Sequence, residues 1–211
     1  MKICFFGDAI QFHLRRWAKY FSDKGHEVSV ITFNPQILEG YEPVKVYIIQ
    51  KRWKNQNVLF RILSLVPIIR DVKKLVKKIN PDIIHIFSCL GYSWTASLTG
   101  FHPRIITPLG SDILIDFEKS MLNKFLTKRA FKEADLIHSD GENVKEVLVK
   151  IGVNEKKIKM ARYGVDIKKF KPDPDNIDFK NKYNLQDSSV VISTRRLEPV
   201  LNVETFIKSM P

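Results

Sequence analysis

The 211-residue chain carries 35 Lys and Arg against 23 Asp and Glu, for a formal charge of +12. Its 44% hydrophobic and 27% charged content is ordinary for a soluble globular protein and argues against a disordered or membrane-embedded one. The basic excess favours acidic partners, whether nucleic acid, anionic lipid or phosphorylated substrates, and does not choose among them.

The apolar start is too short for a secretory leader. Residues 83–103 lack formal charge but are cut by Ser, Thr, Gly and two His, so they do not read as a membrane span. Cys4 and Cys89 lie in apolar, strand-like contexts. They predict buried free thiols in a reducing compartment, not a disulfide framework.

Taken in order, residues 2–6 form an apolar run that ends in Gly7-Asp8, the pattern of a buried strand entering a turn. Leu14, Trp17, Ala18 and Phe21 then recur at helical spacing, with Arg15, Lys19 and Asp23 on the opposite face. Gly25 should end this helix, because glycine turns left-handed without steric cost. Residues 28–33 read as a second buried strand. Strand, helix and strand make a βαβ unit with parallel strands, and in such sheets ligands sit at the carboxyl ends. Gly7, Asp8 and His13 are therefore placed where chemistry is common.

A third strand is expected at 44–49, followed by the most basic part of the chain, 51–79. Pro67 should kink or split a helix there. Three readings stay open for this segment: a core-packed helix with a solvated basic face, a basic amphipathic surface on anionic lipid, or a nucleic-acid surface. No binding motif accompanies the third. Further strands are expected at 83–87, 104–107, 135–138 and 158–161, with helices at 91–99, 117–132 and 142–150. This alternation predicts an α/β fold, a doubly wound, Rossmann-like parallel sheet covered on both faces.

Residues 171–176, Lys-Pro-Asp-Pro-Asp-Asn, have linker composition. Beyond them, 190–193 reads as a fresh first strand and 203–210 as its helix. The expected organisation is a first domain over 1–171, a linker over 172–188 and the truncated start of a second Rossmann-like domain over 189–211. A single βα unit cannot bury both faces of a sheet, so either the chain is a fragment of a longer protein, the favoured reading, or its tail packs on the first domain.

The order of motifs resembles the family 4 retaining glycosyltransferases of GT-B architecture, in which two Rossmann-like domains face across a cleft. The stretches that carry the likeness are Gly7-Asp8 with His13, Arg16, Trp17 and Gly25-His26-Glu27-Val28; Pro81-Asp82-Ile83-Ile84-His85; and Thr107-Pro108-Leu109-Gly110-Ser111-Asp112. Arg162-Tyr163-Gly164-Val165-Asp166 with Phe170 and Pro172, then Ser193-Thr194-Arg195-Arg196-Leu197-Glu198, complete it. The resemblance implies transfer of a sugar from a nucleotide-diphosphate sugar to a carbohydrate or lipid-linked acceptor with retention of configuration. This chain would supply mainly the acceptor half and by itself be inactive. It further implies a cytoplasmic protein, peripheral on the inner face of an anionic membrane, in cell-envelope or polysaccharide synthesis. No metal, cofactor or nucleic-acid partner is implied.

In that reading His13 and Asp112 are the catalytic candidates, and Arg196 neutralises the departing diphosphate. Gly7, Asp8, Arg16, Ser111 and His85 would contact acceptor or substrate. Plainer roles compete: Gly7 as a strand-to-helix turn, His13 as a structural helix residue, Arg16 as a partner of Asp8 or Glu27, Asp112 as a helix cap and His85 as a satisfied core histidine. The chain also departs from the family pattern. Leu109 stands where many members have His, Tyr163 where Asn is usual, Arg195 where Gly is common, and Leu201-Asn202 where Lys-Gly is usual.

Asp173-Pro174-Asp175 has a metal-nucleotide spacing but lies in a proline-rich linker and not at a strand end. The opening turn lacks Gly-x-Gly-x-x-Gly, which argues against a dinucleotide oxidoreductase. The alternative class is a non-enzymatic basic α/β module that binds anionic membrane or a phosphorylated ligand.

Overall fold

In the seven-stranded sheet the central strands are buried on both faces, which explains why their segments read as continuous apolar runs and not as alternating ones. In the computed structural model the described residues are 1–37, 39–50, 58–172, 177–186 and 189–210, without the side chains of 58–65, 177–178 and 200. Residues 51–57, and the side chains that give 58–65 its basic amphipathic pattern, therefore lie outside the described residues, as does the Asp173–Asp175 pair.

The described chain forms two compact units, Met1–Tyr163 and Gly164–Pro211. In the first, β1 (Lys2–Phe6), β2 (Glu27–Thr32), β3 (Lys45–Ile48), β4 (Ile83–Phe87), β5 (Arg104–Thr107), β6 (Leu136–Ser139) and β7 (Ile158–Met160) pair in the order β3-β2-β1-β4-β5-β6-β7. Every pairing is parallel. The chain order reverses between β1 and β4, and in open α/β sheets ligands bind at such a point, beyond the carboxyl ends of the strands.

The side chains of β1 alternate between two cores. Cys4 and Phe6 join the larger one, with Ile68, Val72 and Val76 of α2 (Val58–Ile79), Ala96 of α3 (Gly91–Thr99), Phe131 of α5 (Met121–Glu133) and Leu148 of α6 (Glu142–Lys150). Ile3 and Phe5 join the other, with Leu14 and Ala18 of α1 (Phe12–Asp23). Period-two alternation in the strand meeting helical spacing in α1 is what makes the two faces close. Gly25 follows α1 at φ 82°, as the sequence expects. Both cysteines are free and buried, and burial pushes the Cys4 thiol up to about 12.

Arg104 at the start of β5 is 2% exposed and acts as an interior pin. Its guanidinium donates to the carbonyls of Ala96, Ser97 and Glu133 and to the Glu133 carboxylate, so α3, β5 and α5 meet on one buried charge. Pairing and hydrogen bonding are what make such a burial tolerable.

Three local expectations are corrected. The helix expected over 117–132 is a 3₁₀ turn, Asp116–Lys119, followed by α5. Ser120 interrupts them in extended conformation, and its hydroxyl caps α5 by accepting from the Asn123 amide at 3.1 Å. Of the two effects expected of Pro67, a kink or a split, the split does not occur, for α2 runs from Val58 to Ile79 with Pro67 inside. Ile68 and Val72, buried just after it, hold the apolar face on the sheet. The strand expected at 190–193 is not formed: among the described residues no second strand is present to complete its ladder, and Val191 and Ile192 are exposed. The second unit contains α7 (Ile177–Lys182) and α8 (Val203–Lys208). No helix among the described residues is long and apolar enough to cross a membrane.

Candidate functional site

The turn after β1 is shaped from the inside. A Cβ on Gly7 would stand 2.6 Å from Leu14 Cδ1, 2.9 Å from Phe87 Cβ and 3.1 Å from the Phe87 carbonyl oxygen. Only glycine lets β1 turn into α1 this close to the end of β4. Asp8 then braces the turn: its Oδ1 accepts from the Ile10 amide at 3.2 Å and from Asn34 Nδ2 at 2.9 Å, which ties the loop to the end of β2.

A second brace joins β4 to β5. Asp112, in the short helix α4 (Ser111–Leu114), is 6% exposed. Its Oδ2 accepts from the Cys89 amide at 2.7 Å and its Oδ1 from the Leu109 amide at 2.8 Å. Gly110 permits the loop by adopting φ 98°. Both carboxylate oxygens thus hold backbone, while Ser111 beside them is exposed. Leu109 packs against the α1 core.

His13 emerges at the beginning of α1. Its ring stacks on Tyr163, with centroids 3.9 Å apart and planes 19° apart. Burial first, and Arg16 second, lower its basicity below the usual imidazole range, against a smaller opposing effect of Asp140. This favours the neutral ring. His13 Nδ1, Gln11 Oε1 and the Tyr163 hydroxyl are buried without a hydrogen-bond partner. Native interiors rarely leave such groups unmatched, and a site that awaits a ligand is one place they do. Arg16 lies over the Phe12 ring at 5.3 Å.

Beneath this stack runs a buried chain of polar groups. The Ala161 carbonyl can only accept, so His138 donates from Nε2 at 2.7 Å. In a neutral ring His138 Nδ1 then accepts from the Thr107 hydroxyl at 3.2 Å, and Thr107 accepts from His85 Nε2 at 2.7 Å. His85 is 4% exposed, packed by Phe5, Phe87 and Trp17. Burial, with His138 adding to it, pushes its imidazole down to about 3. His85 thus wires the interior of the sheet below the site.

That depression has a consequence for stability. Below pH ~6.5 the unfolded His85 takes up a proton that the folded protein refuses until about pH 3. The unfolded state then binds more protons, so stability falls as pH falls through this window. We expect about 2 kcal/mol less unfolding free energy at pH 5 than at pH 7, read from urea midpoints. His85→Gln should flatten the slope, and midpoints that coincide at the two pH values would remove His85 from this role.

The structure brings Gly7, Asp8, His13 and the clamp of Asp112 to the carboxyl edge of the sheet at the β1/β4 reversal. Arg196 belongs to the second unit, where it is exposed and pairs with Glu198 at 3.2 Å. Gln11, Thr107, Asp140 and His138 were not singled out from sequence. The only signal for His138 was a polar residue inside an apolar strand.

The family model for glycosyl transferase 4-like proteins matches residues 2–141. The chain belongs to the glycosyl transferase 4-like family. Its seven-stranded, all-parallel sheet is that of the N-terminal half of GT-B transferases. HepE from Anabaena, solved with UDP-glucose, is similar at a TM-score of 0.73 and 18% identity, over 99% of this chain and 56% of that one. Sucrose-phosphate synthase from Thermosynechococcus elongatus gives 0.75 at 15% identity, over 99% and 59%. The lipopolysaccharide outer core galactosyltransferase WaaB gives 0.61 at 16%, over 100% and 58%. The chain therefore spans well under two thirds of each of these proteins, and at such identities the likeness is one of fold. No curated protein matches at a significant level.

Proposed function

We propose that this chain forms the acceptor side of a retaining glycosyltransferase that uses a nucleotide-diphosphate sugar. The observation that carries the reading is the stacked His13 whose buried Nδ1 has no partner, held beyond the carboxyl ends of β1 and β4. A neutral imidazole can accept a hydrogen bond from a sugar hydroxyl or take its proton during transfer. A core histidine would be matched within the protein, as His138 is. Membership of the family supports the reaction class, and UDP-glucose in HepE supports a nucleotide sugar as donor.

In this reading Asp112 serves by fixing the loop that carries Ser111, so its part in catalysis is positional. Arg196 would meet the leaving diphosphate. A cation there would stabilise charge as it develops on the leaving group. An exposed pair such as Arg196 with Glu198 is weak enough to be exchanged for a diphosphate.

Calorimetric titration with UDP-, GDP- and ADP-glucose tests the division of labour. It should be run on the 211-residue chain and on the product of the whole reading frame. Binding confined to the longer product is the expected result. Micromolar binding by residues 1–211 alone would place the nucleotide site on this chain and overturn the assignment to the acceptor side.

A further inference from the structure

The contact between His13 and Tyr163 carries a second reading, which rests on the function proposed above and names a residue for it. Tyr163 is fixed by more than its stack on His13: Trp17 lies edge-on at 6.4 Å and His138 at 5.7 Å. Two of the buried unpartnered polar atoms sit on these two stacked rings, the hydroxyl of Tyr163 and Nδ1 of His13. Leaving such atoms unmatched is costly, so two of them on a pair of stacked rings point to a ligand.

The surrounding charge indicates which kind. Arg16 and Asp140 act on His13, and Asp140 and Asp112 act on Tyr163. The other neighbours, Phe12, Trp17 and His138, are rings. One cation against two carboxylates does not favour a phosphate, even beside the start of a helix. A hydroxyl suits both atoms, since it can donate to the imidazole nitrogen and accept from the phenol.

We propose that Tyr163 is a specificity-determining binding residue, which clamps the His13 ring and offers its own hydroxyl to a hydroxyl of a hexose. Asparagine, usual at this place in the family pattern, could supply neither the ring nor this reach. Tyr163 thus narrows the site from one side and adds one hydrogen bond.

The test follows the His13 ring resonances by NMR in the 211-residue chain, with glucose and galactose as probes up to about 200 mM and inorganic phosphate as the contrast. Hexose should shift the His13 signals saturably, and phosphate should not displace it. Tyr163→Phe keeps the stack and removes only the hydroxyl. It should weaken hexose binding about fivefold, the worth of one hydrogen bond, and leave the His13 titration midpoint in place. Tyr163→Asn should weaken binding as much and also raise that midpoint, because the covering ring is gone. No response of His13 to either hexose, full-strength binding by Tyr163→Phe, or displacement by phosphate would each overturn the proposal. The two readings fail separately. A whole-frame product that transfers no sugar, while His13 still answers to hexose, would defeat the reaction and leave this site standing.

Discussion

Asp112→Ala is expected to lower the unfolding free energy by about 2–4 kcal/mol, because two buried amides lose their charged acceptor. Those amides belong to Cys89, just past β4, and Leu109, just past β5. Removing the carboxylate unpins the carboxyl ends of two neighbouring strands at once. Asp112→Asn should fall between the wild type and the alanine variant, since one oxygen still accepts while an amide NH2 group meets the other backbone N–H. Urea unfolding followed by circular dichroism gives the comparison. An alanine variant as stable as the parent would show that the carboxylate does not clamp this loop, and would return Asp112 to the list of groups free to act on substrate.

Gly7→Ala should be the most disruptive single methyl in the β1–α1 turn, at about 2–3 kcal/mol. The new Cβ meets Leu14 Cδ1 at 2.6 Å and Phe87 Cβ at 2.9 Å. Leu14 is fully buried and Phe87 is the last residue of β4, so neither has room to give. Adding Leu14→Ala removes one clash only, since the Phe87 backbone oxygen remains at 3.1 Å. The double variant should therefore not recover the parent midpoint, and the two changes should be non-additive. A Gly7→Ala protein with an unchanged thermal midpoint would mean the turn shifts freely, and the close approach would lose its structural meaning.

Both residues show how far a motif reading can go. Gly7, Asp8 and the Gly110-Ser111-Asp112 loop were recognisable as places of interest because turn residues followed apolar runs at regular spacing. Their interior duties were not recognisable. Nothing in the order of residues says that Asp112 reaches back to Cys89, 23 positions earlier, or that Gly7 touches Phe87. The core alternative for His85 was weighed from sequence, and the structure gives it partners: Thr107 and, through it, His138. The helix break at Ser120 was missed because the apolar spacing on either side is helical, and a serine hydroxyl shows its capping role only once Asn123 lies above it. Residues 190–193 have strand composition, yet a strand needs a neighbour to take its hydrogen bonds, and composition does not supply one.

By itself the sequence determined the alternation of strands and helices, the parallel α/β class, the buried thiols and the family. These follow from periodicity, from glycine and proline punctuation and from the order of short motifs, all of which are local along the chain. The tertiary structure alone decided which polar residues are used up and which are left open. Arg104, His85 and Asp112 are matched by groups 3 to 29 positions away, whereas His13 and Tyr163 meet face to face across 150 residues of chain with their polar atoms unmatched. Hydrogen bonding is short-ranged and directional, so its balance is set only when the sheet brings distant residues within about 3 Å.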